Sequence, residues 1–375
     1  MNKPFYMMTN KTQLIRHFTP NWFTVNMGTG VVALITSELP FLHSQLFSFG
    51  TALWLFNTIL FILFSIIYAL RWILFYNEAK LILKHSSMLF FLGAIPMALA
   101  TIINGCLKYG IVLLGDQLIV VAKNLWYLDA LLAVFVSFFV PAMMFTRQDH
   151  KLNSMTALWL LPIVAAEVTA SSGGILLNYA MNPHQAFTIL IASYVLWGIS
   201  VLPAFSILSI LFLRLAIHKL PEEQMAISGC LALGPIGTGA FALLLLGKQS
   251  IHILQAAHLT ELGVVMHSIG IVGSLILIGF GMWWLAIAVF TIYKKFSANF
   301  HLGWWGLTFP LGVYTFSILE LAKQLNLVSM AYIGYSLSIL LIGLWLFVII
   351  KTLLGAYKGS LFISPCLIAE KKLAH

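Results

Sequence analysis

Ten apolar stretches, each long enough to cross a bilayer, follow one another at 21–39, 48–72, 86–107, 119–145, 155–177, 186–213, 224–247, 262–292, 302–322 and 328–351. A helix rises about 1.5 Å per residue and the hydrocarbon core is about 30 Å thick, so about twenty such residues suffice. With 61% hydrophobic and only 8% charged residues, the chain is not a soluble domain. The expected fold is an all-α membrane protein. Residues 1–20 are expected as a cytoplasmic tail, 21–351 as one ten-helix transmembrane domain and 352–375 as a second cytoplasmic tail.

The net charge of +9 is a matter of topology rather than of a nucleic-acid partner. Alternate loops and tails of the ten-span arrangement hold sixteen of the 20 basic residues, and the other side holds Lys108, Lys123, Lys248 and Lys323. This asymmetry predicts both termini in the cytoplasm of a multi-pass inner or plasma membrane protein. No small-residue cleavage site follows the first apolar run, so it reads as a retained span. Three cysteines without spacing indicate neither a disulfide framework nor a zinc site, and the eleven histidines show no metal-binding spacing. No cofactor is expected.

Five of the ten stretches are interrupted. Span one carries Met27-Gly28-Thr29-Gly30, span three Gly93-Ala94-Ile95-Pro96, and span five Leu160-Leu161-Pro162. Span seven carries Gly234-Pro235-Ile236-Gly237 and span nine Thr308-Phe309-Pro310-Leu311-Gly312. Proline removes a backbone hydrogen bond and bends a helix. In hydrocarbon such a break is tolerated only inside protein or beside a wet cavity. Taken at Gly28, Pro96, Pro162, Pro235 and Pro310, the breaks lie 68, 66, 73 and 75 residues apart, one helical hairpin each time. All odd spans then run in one direction and close into a ring about an axis along the membrane normal, lining a central pore. Among the even spans, two and ten are dense in Leu, Ile and Phe, as a lipid-facing helix should be, while Pro203 in span six and Pro141 near the end of span four are exceptions that make the alternation a tendency.

These motifs, with Trp22-Phe23, Ala100-Thr101-Ile102-Ile103-Asn104, Leu243 to Gly247 and Trp304-Trp305, resemble the tellurite-resistance/dicarboxylate transporter family. That family also contains plant slow anion channels, yeast malate permeases and fungal sulfite efflux pumps. The segments around Met27-Gly28 and Pro96-Met97 look closest to the sulfite and dicarboxylate branches. The resemblance implies five hairpins, odd helices around a pore, a homotrimer with one pore per subunit, and a phenylalanine gate on the ninth helix. By motif position the gate is Phe309, with Phe316 as the fallback; the alternative role for either ring is packing.

Small polar side chains at the breaks suit an anion, because weak binding lets an ion leave as well as enter. The candidate pore hydroxyls are Thr29, Thr101, Ser171, Ser172, Thr238 and Thr308, and the candidate lining breaks are Gly28, Gly30, Pro96, Pro162, Gly234, Pro235, Gly237, Pro310 and Gly312. No Lys or Arg falls near the middle of an odd span. Glu167, on an odd helix after Pro162, is a candidate for proton coupling; the alternative is a hydrogen bond to an outer helix. Glu320 and Lys323, three residues apart, are expected to pair on the helix surface. The expected partners are small anions and the lipid bilayer. The expected activity is passage of C4-dicarboxylate, sulfite, tellurite or chloride by a gated channel or a proton-coupled carrier. The remote alternative is an intramembrane enzyme, which would need paired acids or a Ser/His dyad at membrane depth; Asp129 and Asp149 are not both intramembrane, and Ser171-Ser172-Gly173-Gly174 has no obvious base partner.

Overall fold

The computed structural model describes residues 12–179, 182–295 and 299–368. They are nearly all helical, with no strand among them. We number the main helices α1 (Phe23–Thr36), α2 (His43–Leu74), α3 (Ala94–Gly105), α4 (Gln117–Arg147) and α5 (Leu161–Leu176), followed by α6 (Pro183–His218), α7 (Leu233–Ala256), α8 (Thr260–Lys294), α9 (Phe309–Leu325) and α10 (Val328–Lys358).

Among the described residues, eight helical segments are long and apolar enough to cross a membrane, against the ten expected. The two that fall short are α1, with 14 residues, and α9, with 17. The reason lies in how the odd helices begin. Each is preceded by a 3-10 segment: Pro20–Trp22, Met88–Gly93, Ala157–Leu160, Glu223–Ala232 and Leu302–Leu307. A 3-10 turn rises about 2.0 Å per residue, so these segments lengthen the rods beyond their α-helical parts.

The interruption is therefore a change of winding rather than a bend in mid-helix. Pro162 and Pro310 are the second residues of α5 and α9, and Pro96 and Pro235 are the third residues of α3 and α7. A first-turn N–H lacks a partner within the α-helix, so proline fits there at little cost. Gly28, by contrast, sits inside an unbroken α1, whose winding changes earlier, at Trp22/Phe23. The two prolines that do lie within helices, Pro141 and Pro203, belong to α4 and α6.

Burial divides the helices into two classes. In the most apolar windows of the segments holding α3, α5 and α7, 89% of residues are buried, against 22–33% in the even helices. Every residue of α1 is buried. The odd helices pack in sequence, α1 on α3, α3 on α5, α5 on α7, α7 on α9, and α9 returns to α1. Each even helix packs on the odd helix before it and on the next one round, with α10 reaching α1. The outward faces of the even helices carry exposed Leu, Ile, Val and Phe, as a lipid-facing surface does.

Small residues set the spacing of the inner helices. A methyl carbon built on Gly30 would lie 2.0 Å from the Thr101 hydroxyl oxygen, closing α1 on α3. On Gly237 it would lie 2.5 Å from the backbone N and Cα of Tyr314, closing α7 on α9. Gly312 meets Val31 in the same way, at 2.5 Å, and seals α9 against α1. Without a hydrophobic drive between helices in lipid, such close backbone approach is what holds them together.

At the end where the odd helices begin, the stretch before α1 and the stretch after α10 are fastened together. The fully buried Arg71, near the end of α2, donates to the Phe18 carbonyl at 2.7 Å and to the Ser364 hydroxyl at 3.3 Å. Trp22 stacks on Phe362 with ring centroids 4.8 Å apart. The segment after α10 thus folds back onto the helical body instead of leaving it at residue 352.

Candidate functional site

Two cavities lie along the inside of the odd helices. The larger, about 290 Å³, occupies the end where those helices finish and takes Leu34 from α1, Ile175 from α5, Leu245 from α7 and Val313 from α9. The smaller, about 110 Å³, occupies the end where they begin, between the 3-10 segments, with Met27, Phe91, Leu161, Leu231 and Trp305 in its wall. Phe309 lines both cavities, and it is only 4% exposed. Between them a void of about 20 Å³ draws its wall from all five odd helices, with Met27, Met97, Val164, Gly234 and Phe309 among its residues and Leu160, Leu161, Leu231 and Pro310 beside them. A space of that size accommodates about one water, and its walls offer that water little to bind.

Helix winding explains why Phe309 stands there. Thr308 breaks the 3-10 segment with φ −96° and ψ −69° and donates its hydroxyl to the Trp305 carbonyl at 2.8 Å. Phe309 is then the first residue of α9, and Pro310 fixes the backbone behind it. The fallback ring, Phe316, lines only the larger cavity and stacks on Phe241, centroids 5.4 Å apart.

The other expected lining residues divide. Thr101 and Ser171 reach the larger cavity, Pro310 the smaller, and Gly234 the void between. Gly28, Gly30, Gly237 and Gly312 are spent on helix contacts, Gly28 against Trp305 and Thr308. Pro96, Pro162 and Pro235 set winding and border none of these three spaces. Thr29 is turned outward and accepts the Trp345 indole N–H of α10 at 3.2 Å. Ser172 and Thr238 are buried with hydroxyls that find no protein partner, and Thr308 is committed to its own turn.

Glu167 is fully buried and borders neither cavity. Its carboxylate lies on the side of Gly239, whose added methyl carbon would stand 3.7 Å from Oε2, and faces the Ser200 hydroxyl of the outer helix α6 without a close hydrogen bond to it. Asp129 of α4, equally buried, accepts the Thr169 hydroxyl at 2.7 Å. The expected Glu320–Lys323 pair gives way to another arrangement. Gln324 donates to Glu320 at 2.9 Å, while Lys323 and Lys108 both bind Glu38, at the rim of the larger cavity.

Sequence reading missed the Glu38 cluster and the methionines of the neck. The signal for the cluster was present: Lys108 and Lys323 are two of the four basic residues on the basic-poor side. It also missed two histidines at the opposite end. His301, in the wall of the smaller cavity, accepts the Gly303 N–H on Nδ1 and donates from Nε2 to the Gln224 carbonyl, both at 3.1 Å. It thereby ties the segment before α9 to the one before α7. His85 accepts the Met88 N–H at 3.2 Å on Nδ1 and so caps the start of the segment before α3 locally. Burial keeps both imidazoles below the usual histidine range, although the Gln224 carbonyl partly opposes this at His301.

Comparison with known proteins adds a family to this geometry. Residues 17–353 match the family model described as voltage-dependent anion channel. The chain belongs to that family. It is 36% identical over 352 residues to the sulfite efflux pump of Arthroderma otae, covering 93% of each chain. It is 30% identical over 371 residues to an uncharacterized transporter of Methanocaldococcus jannaschii, covering 94% of this chain and 97% of that one. The malic acid transport protein of Schizosaccharomyces pombe is 20% identical over 344 residues, covering 89% of this chain and 77% of the other. The voltage-dependent anion channel family accounts for the apolar helices: the protein is an integral membrane protein of an anion-transport family, consistent with a non-enzymatic role.

Proposed function

We propose that this protein carries small anions across its membrane through the conduit between the odd helices, and that Phe309 is the gate. In this reading all ten helices cross the bilayer as five hairpins. The distribution of basic residues puts both termini in the cytoplasm, so the larger cavity opens outward and the smaller one inward. The observation that carries the proposal is that one apolar ring lines both cavities, at a neck to which every odd helix contributes. A dry, narrow neck stops an ion because the ion would have to shed its water without replacement. Movement of one ring reopens the path without rearranging the helices.

The names of the relatives point to sulfite and to C4-dicarboxylates such as malate as the first anions to test, with chloride and tellurite after them. A gated channel is favoured over a proton-coupled carrier by the position of Glu167, which is buried away from both cavities. The homotrimer implied by the family resemblance belongs to the same proposal, and cross-linking in membranes tests it. The decisive experiment is flux in proteoliposomes with sulfite, malate and chloride side by side, under an imposed voltage and then under a pH gradient. Flux that follows voltage alone and is unaltered in Glu167→Gln supports the channel. Flux driven by the pH gradient and lost in Glu167→Gln would establish the carrier instead.

A further inference from the structure

The rim of the larger cavity holds a charge cluster that an apolar neck does not require. Glu38 stands in the turn after α1, Lys108 in the π-helical turn Cys106–Gly110 after α3, and Lys323 in the last turn of α9. Because α1 lies between α9 and α3 in the ring, the carboxylate is flanked by an amine on each side. Lys108 binds Oε1 and Lys323 binds Oε2. One carboxylate therefore bridges two cations, one oxygen to each.

The exposure of the three groups matters to what they can do. The Glu38 side chain is 15% exposed, Lys108 28% and Lys323 58%, so the amines are reachable from solvent while the acid lies inward of them. All three line the cavity. A lysine on a π-turn is unusual placement for a merely solvating charge, since such turns are rare and recur at functional sites. Asn104, one helical turn before Lys108, lines the same wall, is 9% exposed and has an unpartnered side-chain oxygen. The second acid, Glu320, also lines the wall and accepts from Gln324 at 2.9 Å.

We propose that Lys108 and Lys323 form a binding site for an oxyanion offering two oxygens, sulfite or one carboxylate of a dicarboxylate, and that Glu38 is its tethered competitor. The carboxylate of the chain holds the place that the free anion takes, and swings aside when the anion arrives. This prevents the two amines from retaining a permeating anion, because the tethered group recaptures them as the anion moves toward the neck. A tethered ligand on a short segment acts at an effective concentration in the millimolar range, so it sets the anion concentration at which the site fills. The inference rests on the transport function proposed above and names the recognition step of that function.

The test uses the full-length protein in proteoliposomes and measures sulfite flux against concentration. Glu38→Gln keeps the shape and removes the charge. It should lower the half-saturating sulfite concentration roughly tenfold, the shift that follows when the tethered carboxylate acts at about ten times its own dissociation constant for the amines. Lys108→Met and Lys323→Met should each raise it. Chloride, a single atom that cannot give a separate oxygen to each amine, should show a smaller shift in Glu38→Gln, and an equal shift would overturn the two-oxygen assignment. An unchanged or raised half-saturation in folded Glu38→Gln would overturn the competitor. If that variant does not fold, the lysine variants decide, and unchanged half-saturation in both overturns the site. If the unaltered protein moves no anion, the transport reading fails and the site is still tested in detergent. There, greater thermal stabilisation of Glu38→Gln than of the unaltered protein by sulfite supports it, and equal stabilisation overturns it.

Discussion

Truncating Phe309 to alanine should open the neck, and both the gain in flux and the loss of stability can be bounded. The ring is 4% exposed and separates a cavity of about 290 Å³ from one of about 110 Å³. In a filled core, Phe→Ala costs about 3–5 kcal/mol. Here the ring has open space on two sides and touches fewer atoms, so a smaller loss of about 1–3 kcal/mol is expected. The barrier to an ion in a dry neck comes from stripped hydration, worth several kcal/mol. Relieving only about 1.4–2.8 kcal/mol of it multiplies flux roughly ten- to a hundredfold. The assay is efflux of sulfite or chloride from proteoliposomes, with Phe309→Leu as a variant that keeps most of the bulk and Phe316→Ala as one that alters only the larger cavity. Both should stay near the basal rate. A Phe309→Ala protein that elutes as a single folded species and passes anions no faster than the unaltered protein would refute the gate.

Other consequences follow from particular contacts. Gly237→Ala places a methyl group 2.5 Å from the Tyr314 backbone, so α7 and α9 must part; overpacking of this kind costs about 1–3 kcal/mol. Its melting temperature in detergent should fall, whereas Gly279→Ala, with nothing within 4 Å of the new carbon, should melt as before. Burial lowers the pKa of His301 and His85, so their neutral forms stabilise the folded protein fully above the unfolded-state value of about 6.5. That stability should fade as pH drops below it toward the depressed folded-state value, and melting curves from pH 8 to pH 5 should show less of this fall in a His301→Asn, His85→Asn double variant. Arg71→Met removes the donor to Phe18 and Ser364, hydrogen bonds worth about 1.5–3 kcal/mol each when charged. Limited proteolysis should then cut the segment after α10 faster, and an unchanged rate would show that the remaining contacts, Trp22 on Phe362 and the Ser364 N–H donated to His17 among them, suffice to hold it.

The amino-acid order by itself determined the membrane class, the alternation of interrupted with uninterrupted stretches, and Phe309 as the residue to watch. These depend on local quantities: apolar length, the missing N–H of proline, and the fit of a short motif to a family. Local rules also misplaced the first break, because Gly28 resembles an interruption yet lies in a continuous helix where α1 meets Trp305 and Thr308. Only the tertiary structure decided which way each side chain faces. A helix buried on every side, as α1 is throughout its length, has no apolar stripe to orient it, so its sequence cannot say that Thr29 turns to Trp345 while Met27 turns to the neck. The same holds for Glu38, Lys108 and Lys323, far apart in the chain and brought to one rim only when α9 closes against α1.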